Sequence, residues 1–193
     1  MARYAFLLDT YRTERLKTLG VWRQIPKERL RQRMEPRARS PLDHLIHQCQ
    51  SEYKWMVDIL DVRVPRPPLP MVESIEAFIE HYGLSASDRL EVLGHQPEAW
   101  FEEEIAFFDV LRSRAWVLTR RFTHTAHHRG QLLATLRAWG VALYSTYGPT
   151  ADTGGLPGNG AVVIYRGDDA VSPELPGPGS LPPTERPYAP RCS

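Results

Sequence analysis

Cysteine is almost missing from this chain. Two residues, Cys49 and Cys192, in 193 cannot form a disulfide framework, and a reducing cytoplasm is the expected setting. Long apolar runs are missing as well. None approaches the ~20 residues that a membrane-crossing helix needs, and the first residues lack the apolar stretch of a secretion signal. Neither sign of charge prevails: 24 basic residues face 23 acidic ones, for a formal net charge of +1. That balance recommends neither nucleic acid nor an anionic membrane as a partner. The basic run at 27–39 has no interleaved aromatics and reads as a solvated connection. There is no G-x-S-x-G and no phosphate loop, and Gly154-Gly155 has no following helix to hold an anion. The acidic triplet at 102–104 reads as a solvated face rather than an acid/base pair. The remaining composition, 42% hydrophobic and 24% charged, suits one soluble domain with a sizeable core.

Four amphipathic runs predict four helices, near 3–24, 41–61, 74–93 and 112–139. The first carries Tyr4, Leu7, Leu8, Tyr11, Leu19 and Trp22 at a 3.6-residue period and ends before Pro26. The second opens on "SPLD", with Ser40 to cap, Pro41 for the first turn and Asp43 where a charge favours the N-terminus. "VPRPPLP" at 64–70 then breaks the chain. Ser74 starts the third run, with Gly83 in its midst, and Gly140 stops the fourth. The stretch 94–110 is acidic and aromatic and has no firm assignment. Residues 148–193 hold eight of the 13 glycines and nine of the 17 prolines, and so form a separate arm. A two-part organisation follows: an all-α four-helix bundle over 1–145, and a Gly/Pro-rich arm and tail over 146–193. "AVVIY" at 161–165 is a candidate short strand, the stretch 141–170 around it should fold back on the bundle, and the tail from about 172 is a candidate for disorder.

Chemistry is concentrated in "HTAHHRGQ" at 124–131. His124 and His128 are four apart and share a helix face, so their imidazoles can chelate one divalent ion. His127 is three from His124, and spacing alone does not choose between the pairs. A polar patch with hydrogen-bonded rings accounts for the same pattern. The long helix is apolar on two sides, which predicts that its histidine face lies in an interior crevice. A catalytic metal usually has three protein ligands and an open position. Among the other histidines, His44 and His47 lie on the second helix; His47 stands about 140° from the centre of its apolar stripe, at ~100° per residue, so periodicity does not place it inside. The glutamate of the H-E-x-x-H peptidases is absent.

"HTAHHRGQLLATLRAWG" (124–140) resembles the fourth-helix signature of the DinB/YfiT-like superfamily of helical-bundle metalloproteins, H-x-x-x-H-R-G-Q followed by a leucine-rich turn and Gly. "LIHQCQSEYKWM" (45–56) resembles its second-helix pattern, a histidine followed five residues later by Glu and then by an aromatic residue. The resemblance implies His47, His124 and His128 as metal ligands, choosing His47 over His44 and His128 over His127. It implies a zinc, nickel or iron ion and supporting roles for Arg129 and Gln131, with Arg129 expected in a structural ion pair. Gly130 is expected to permit close helix packing. The same resemblance implies a homodimer acting on a small-molecule substrate, as a thiol transferase or isomerase that uses a low-molecular-weight thiol. A metal-dependent hydrolase and a non-catalytic, metal-stabilised stress or binding protein are the alternatives. Arg120 is the expected source of positive charge near the ligands, and Cys49 is expected to belong to the core.

Overall fold

Three serines start three of the helices. Each side chain accepts the backbone N–H three residues on: Ser40 from Asp43, Ser74 from Ala77 and Ser113 from Trp116. At Ser40 the bond is reciprocated, since its own N–H donates to the Asp43 carboxylate at 2.9 Å. The computed structural model describes residues 3–141 and 143. In chain order these form α1 (Ala5–Trp22), a 3-10 turn (Lys27–Arg29), α2 (Pro41–Lys54) continued by a π turn (Trp55–Ile59), α3 (Ile75–Gly94), α4 (Glu98–Glu102), β1 (Glu104–Phe107), β2 (Val110–Ser113) and α5 (Arg114–Ala138). At the far end of α5, Gly140 takes a φ of 74°, and the Gly140 and Val141 N–H groups close back on Arg137 and Leu136. That is the helix stop a glycine makes possible.

The four long helices pack with α1 against α3 and α5, and α2 against α5. Two apolar cores result. One gathers Leu19, Trp22, Leu45, Cys49, Phe78, Tyr82, Leu132 and Leu136; the other gathers Leu7, Tyr11, Met56, Leu90, Val117, Leu118 and Phe122. Between them every long helix contributes buried polar groups: Glu14 and Thr18 from α1, Gln48 and Glu52 from α2, Ser85 and Arg89 from α3, and Arg121, Thr125, His128 and Arg129 from α5. The polar stretch of α1 that interrupts its apolar stripe is therefore buried and paired. Arg129 donates to the Glu14 carboxylate at 2.5 Å and to Thr18 at 3.1 Å, as an interior charge requires.

The all-α bundle matches the sequence expectation. α3 runs unbroken through Gly83, where an added Cβ would meet only Leu19 at an ordinary 3.6 Å. The unassigned stretch forms α4 and an antiparallel hairpin with Glu104 opposite Ser113 and Phe107 opposite Val110. This hairpin places the start of the last helix at Arg114 rather than Arg112. Glu102, Glu103 and Glu104 are exposed, in keeping with a solvated face. The expected strand at 161–165, the arm over 146–193 and the tail beyond 172 lie outside the described residues. Among the described residues no helix is long and apolar enough to cross a membrane.

Candidate metal centre

The side-by-side packing of α2 and α5 brings His47 to the pair His124 and His128. The Nε2 atoms of His47 and His128 are 3.0 Å apart, and those of His128 and His124 are 3.2 Å apart. One ligand atom from each ring lies within 4.8 Å of the others. His128 is buried, and His47 and His124 are half-buried, so the group sits at the edge of the interior polar layer. Trp55, first residue of the π turn, stacks on His124 with ring centroids 5.6 Å apart and an interplanar angle of 23°. A π turn widens the helix and re-aims its side chains, and such turns recur at functional sites. Burial, then the Arg121 charge, pushes the His124 imidazole down to about 3. Burial also lowers His128, against a raising bond from Gln131, to about 4, and His47 is lowered by burial and by Arg39 and Arg121. All three rings are thus neutral at neutral pH, which is the form that binds metals.

The surroundings fix the rings. Gln131 Oε1 lies 2.9 Å from His128 Nδ1; accepting that proton leaves the Nε2 lone pair facing the cluster. Arg39 approaches the same nitrogen only at 3.4 Å, a nearby charge rather than a competing bond. Arg121, fully buried, reaches His124 Nδ1 at 2.8 Å and Ser51 Oγ at 3.0 Å, with Glu52 at 3.5 Å. Glu52 accepts from Tyr11 at 2.5 Å, Tyr82 at 2.7 Å and Arg89 at 3.0 Å. Burial pushes its carboxyl up, but Arg89 and Arg121, with the two tyrosine bonds, outweigh burial and hold it below the usual carboxylate range. The three histidines, one from α2 and two from α5, are a cluster that can hold a metal ion.

The sequence profile of the DinB family matches residues 1–155. The chain belongs to the DinB family. Among solved structures, a DinB-like protein from Bacillus cereus is similar at 17% identity, with a TM-score of 0.65 over 73% of this chain and 95% of that one. A DinB-like protein from Bacillus subtilis is similar at 13% identity, with a TM-score of 0.54 over 69% of this chain and 92% of that one. At these identities they share the fold. No protein with a curated description matches the chain.

Within this DinB chain the three histidines implied by the resemblance are the three that converge. His127 is exposed. His44 is buried, with its ring centre 6.0 Å from that of His128, and is not one of the converging group. Arg129 makes the expected structural ion pair, and Cys49 is buried in the core with its thiol pushed up by burial. Three expectations need refinement. The histidine face lies only partly inside: His128 is buried and His124 and Thr135 are half-buried, whereas Gln131, Ala134 and Ala138 are exposed. Among the described residues Gly130 makes no close packing: it is exposed, and an added Cβ would meet nothing within 4 Å. The arginine that touches a ligand is Arg121; Arg120, exposed and turned to Thr123, adds the expected positive charge at His124 but as a smaller effect. Arg121 was missed because a charged helical residue reads as solvated unless its partner is known, and that partner, Glu52, lies 69 residues away.

Proposed function

We propose that His47, His124 and His128 bind one divalent metal ion, zinc or nickel by first choice and iron otherwise. On this reading the protein is a metal-dependent enzyme in which a small thiol acts as nucleophile for transfer to, or isomerisation of, a small-molecule electrophile. The observation that carries the metal is the approach of three Nε2 atoms at 3.0 and 3.2 Å. Donors around a tetrahedral ion with bonds of ~2.0–2.1 Å stand ~3.3 Å apart, so the rings need only small shifts. Three imidazoles without a carboxylate suit zinc, nickel or iron and leave a position for an outside ligand. When bound, such an ion lowers the pKa of a thiol and orients the thiolate.

The chain's own residues favour an external thiol over the alternatives. Cys49 is buried, so it does not serve as the nucleophile. A hydrolase needs a base for its water, and both carboxylates of the polar layer are committed, Glu52 to two tyrosines and an arginine and Glu14 to Arg129 and Lys17. Gln131 orients His128, Trp55 walls the cluster, and Arg121 with Glu52 anchors the helices beneath it. Two apolar cores bury much of the long helices' apolar surface, which favours a functional ion over a purely structural one.

Elemental analysis of the purified protein, followed by a screen of thiols against electrophiles, tests the reading. Turnover that requires both metal and thiol, is lost in His128→Ala and persists in Cys49→Ala supports it. Thiol-independent turnover transfers the assignment to a hydrolase. Failure to take up any metal overturns it.

A further inference from the structure

A cavity of about 420 Å³ opens beside His128, lined by Arg37, Ala38, Arg39, His44, Gln131 and Thr135. Its size falls within the ~300–1,000 Å³ of small-molecule sites. Two segments build it. Residues 37–39 run into the cap of α2 at Ser40, and His44 follows one turn in; Gln131 and Thr135 are one turn apart on α5. The cavity therefore adjoins the histidine cluster through His128 and Gln131.

Its lining is positively charged and incompletely partnered. Among the described residues no carboxylate pairs with Arg39, whose guanidinium reaches only His128 Nδ1 at 3.4 Å. Arg37 has Glu35 at 3.8 Å with its own side chain 93% exposed. The other nearby acid, Asp43, is taken by Arg33 at 2.7 Å and by the Ser40 N–H. His44, 4% exposed, lines the cavity as a neutral ring, and among the described residues its Nδ1, shielded from solvent, has no hydrogen-bond partner. Two guanidiniums suit a planar, monoanionic oxygen pair. A phosphate fits less well, because Ser40 already occupies the Asp43 N–H at the start of α2 and the Asp43 carboxylate stands at that end.

We propose that this cavity is a carboxylate subsite, in which Arg39 with Arg37 and His44 holds the carboxylate of the ligand whose other end reaches the histidine cluster. What sits at the cluster rests on the metal-bound-thiol reading above; the subsite rests on the cavity. The carboxylate belongs either to the thiol or to the electrophile, and the test separates the two.

Calorimetry on zinc-loaded protein compares 3-mercaptopropionate with uncharged 2-mercaptoethanol, and succinate is titrated into metal-free protein while the His44 ring is followed by NMR. We expect succinate to bind metal-free protein and move the His44 resonance, with Arg39→Gln weakening it by about tenfold or more. If the thiol carries the carboxylate, 3-mercaptopropionate binds the loaded protein about tenfold tighter than 2-mercaptoethanol and Arg39→Gln erases the difference; if the electrophile carries it, the thiols bind alike and the succinate result stands. Arg31→Gln, on an exposed pair with Glu73, should change nothing. Succinate binding that is absent, or that Arg39→Gln leaves intact, overturns the subsite. Arg39-dependent succinate binding in a protein that takes up no zinc keeps the subsite and removes only the metal reading.

Discussion

Arg121 Nη1 lies 2.8 Å from His124 Nδ1. A guanidinium has only donors, so this nitrogen accepts, and the proton of the neutral His124 ring sits on Nε2, directed at His128 Nε2 3.2 Å away. His128 holds the opposite tautomer, with Nδ1–H on Gln131. His47 Nε2 also lies 3.0 Å from His128 Nε2, whose single lone pair accepts from one ring only, and a metal bound here would have to displace the His124 Nε2 proton. Arg121 can withdraw to Ser51, the Gln48 carbonyl and Glu52, which it already contacts. Arg121→Met should then raise zinc affinity, by removing both the wrong donor and a nearby cation. Gln131→Leu should lower it, by about 10–100-fold, the usual effect of losing a ligand's orienting partner. Competition against a chromophoric chelator reads both; equal signs for the two variants would refute the tautomer argument.

His124→Ala and His47→Ala should lose stoichiometric metal, while His127→Ala, at an exposed position, should keep it. Metal content by elemental analysis decides the point. Retention of a full equivalent by His124→Ala would remove it from the ligand set.

Glu52 joins the two apolar cores, since Tyr11 belongs to one and Tyr82 to the other and both donate to it. Glu52→Ala leaves Arg89 and Arg121 without their buried counter-charge. Breaking a buried pair in this way costs about 3–5 kcal/mol. Tyr82→Phe deletes one bond to a charged acceptor and should cost about 1.5–3 kcal/mol. Urea unfolding measures both, with Arg31→Ala as a surface reference below about 1 kcal/mol. A Glu52→Ala loss no larger than that reference would show that the polar layer does not secure the bundle.

The elements that the sequence announces are those with local chemistry at their ends: Ser40 with Pro41, Ser74, and Gly140 after a leucine-rich run. The hairpin announces nothing. Its turn is made at Phe108 with φ 55°, where asparagine or glycine is the usual signal, and in β1 only Phe107 is buried. His47 escaped periodicity because α2 faces two cores and a histidine cluster, so a single apolar stripe does not define its interior. Glu52 and Arg121 escaped because each is made safe to bury only by the other elements. His124 and His128 were legible from spacing, but their third partner required the family resemblance.

Gly130 offers a test that separates motif from mechanism. It lies inside α5, exposed, with nothing within 4 Å of an added Cβ. Gly130→Ala should stabilise the protein by about 0.5–1 kcal/mol through helix propensity alone, raising Tm by about 2–4 °C per kcal/mol at this chain length. Metal content should not change. A thermal melt that falls would mean that the glycine serves a close approach absent from the described residues.

Acid should weaken the metal-free bundle in a defined window. The folded-state imidazoles of His44 and His128 are lowered to about 4 and that of His124 to about 3, burial being the first cause in each, whereas an unfolded histidine titrates near ~6.5. Between those values the unfolded chain binds more protons than the folded one, so stability rises with pH across the window. It is fully present above ~6.5 and is lost as pH falls toward 4. Glu52, held below the ordinary carboxylate range, acts in the same direction at lower pH, because its contribution disappears once the buried carboxylate is protonated. Chelator-treated protein should therefore show a Tm that declines from pH 6.5 to 4 and falls further below it, and His124→Ala should flatten the upper part of that decline. The same series in zinc should be steeper over the upper window, since protons and metal compete for the same nitrogens. A Tm for metal-free protein that is level between pH 6.5 and 4 would mean that the three rings are not held neutral by the fold.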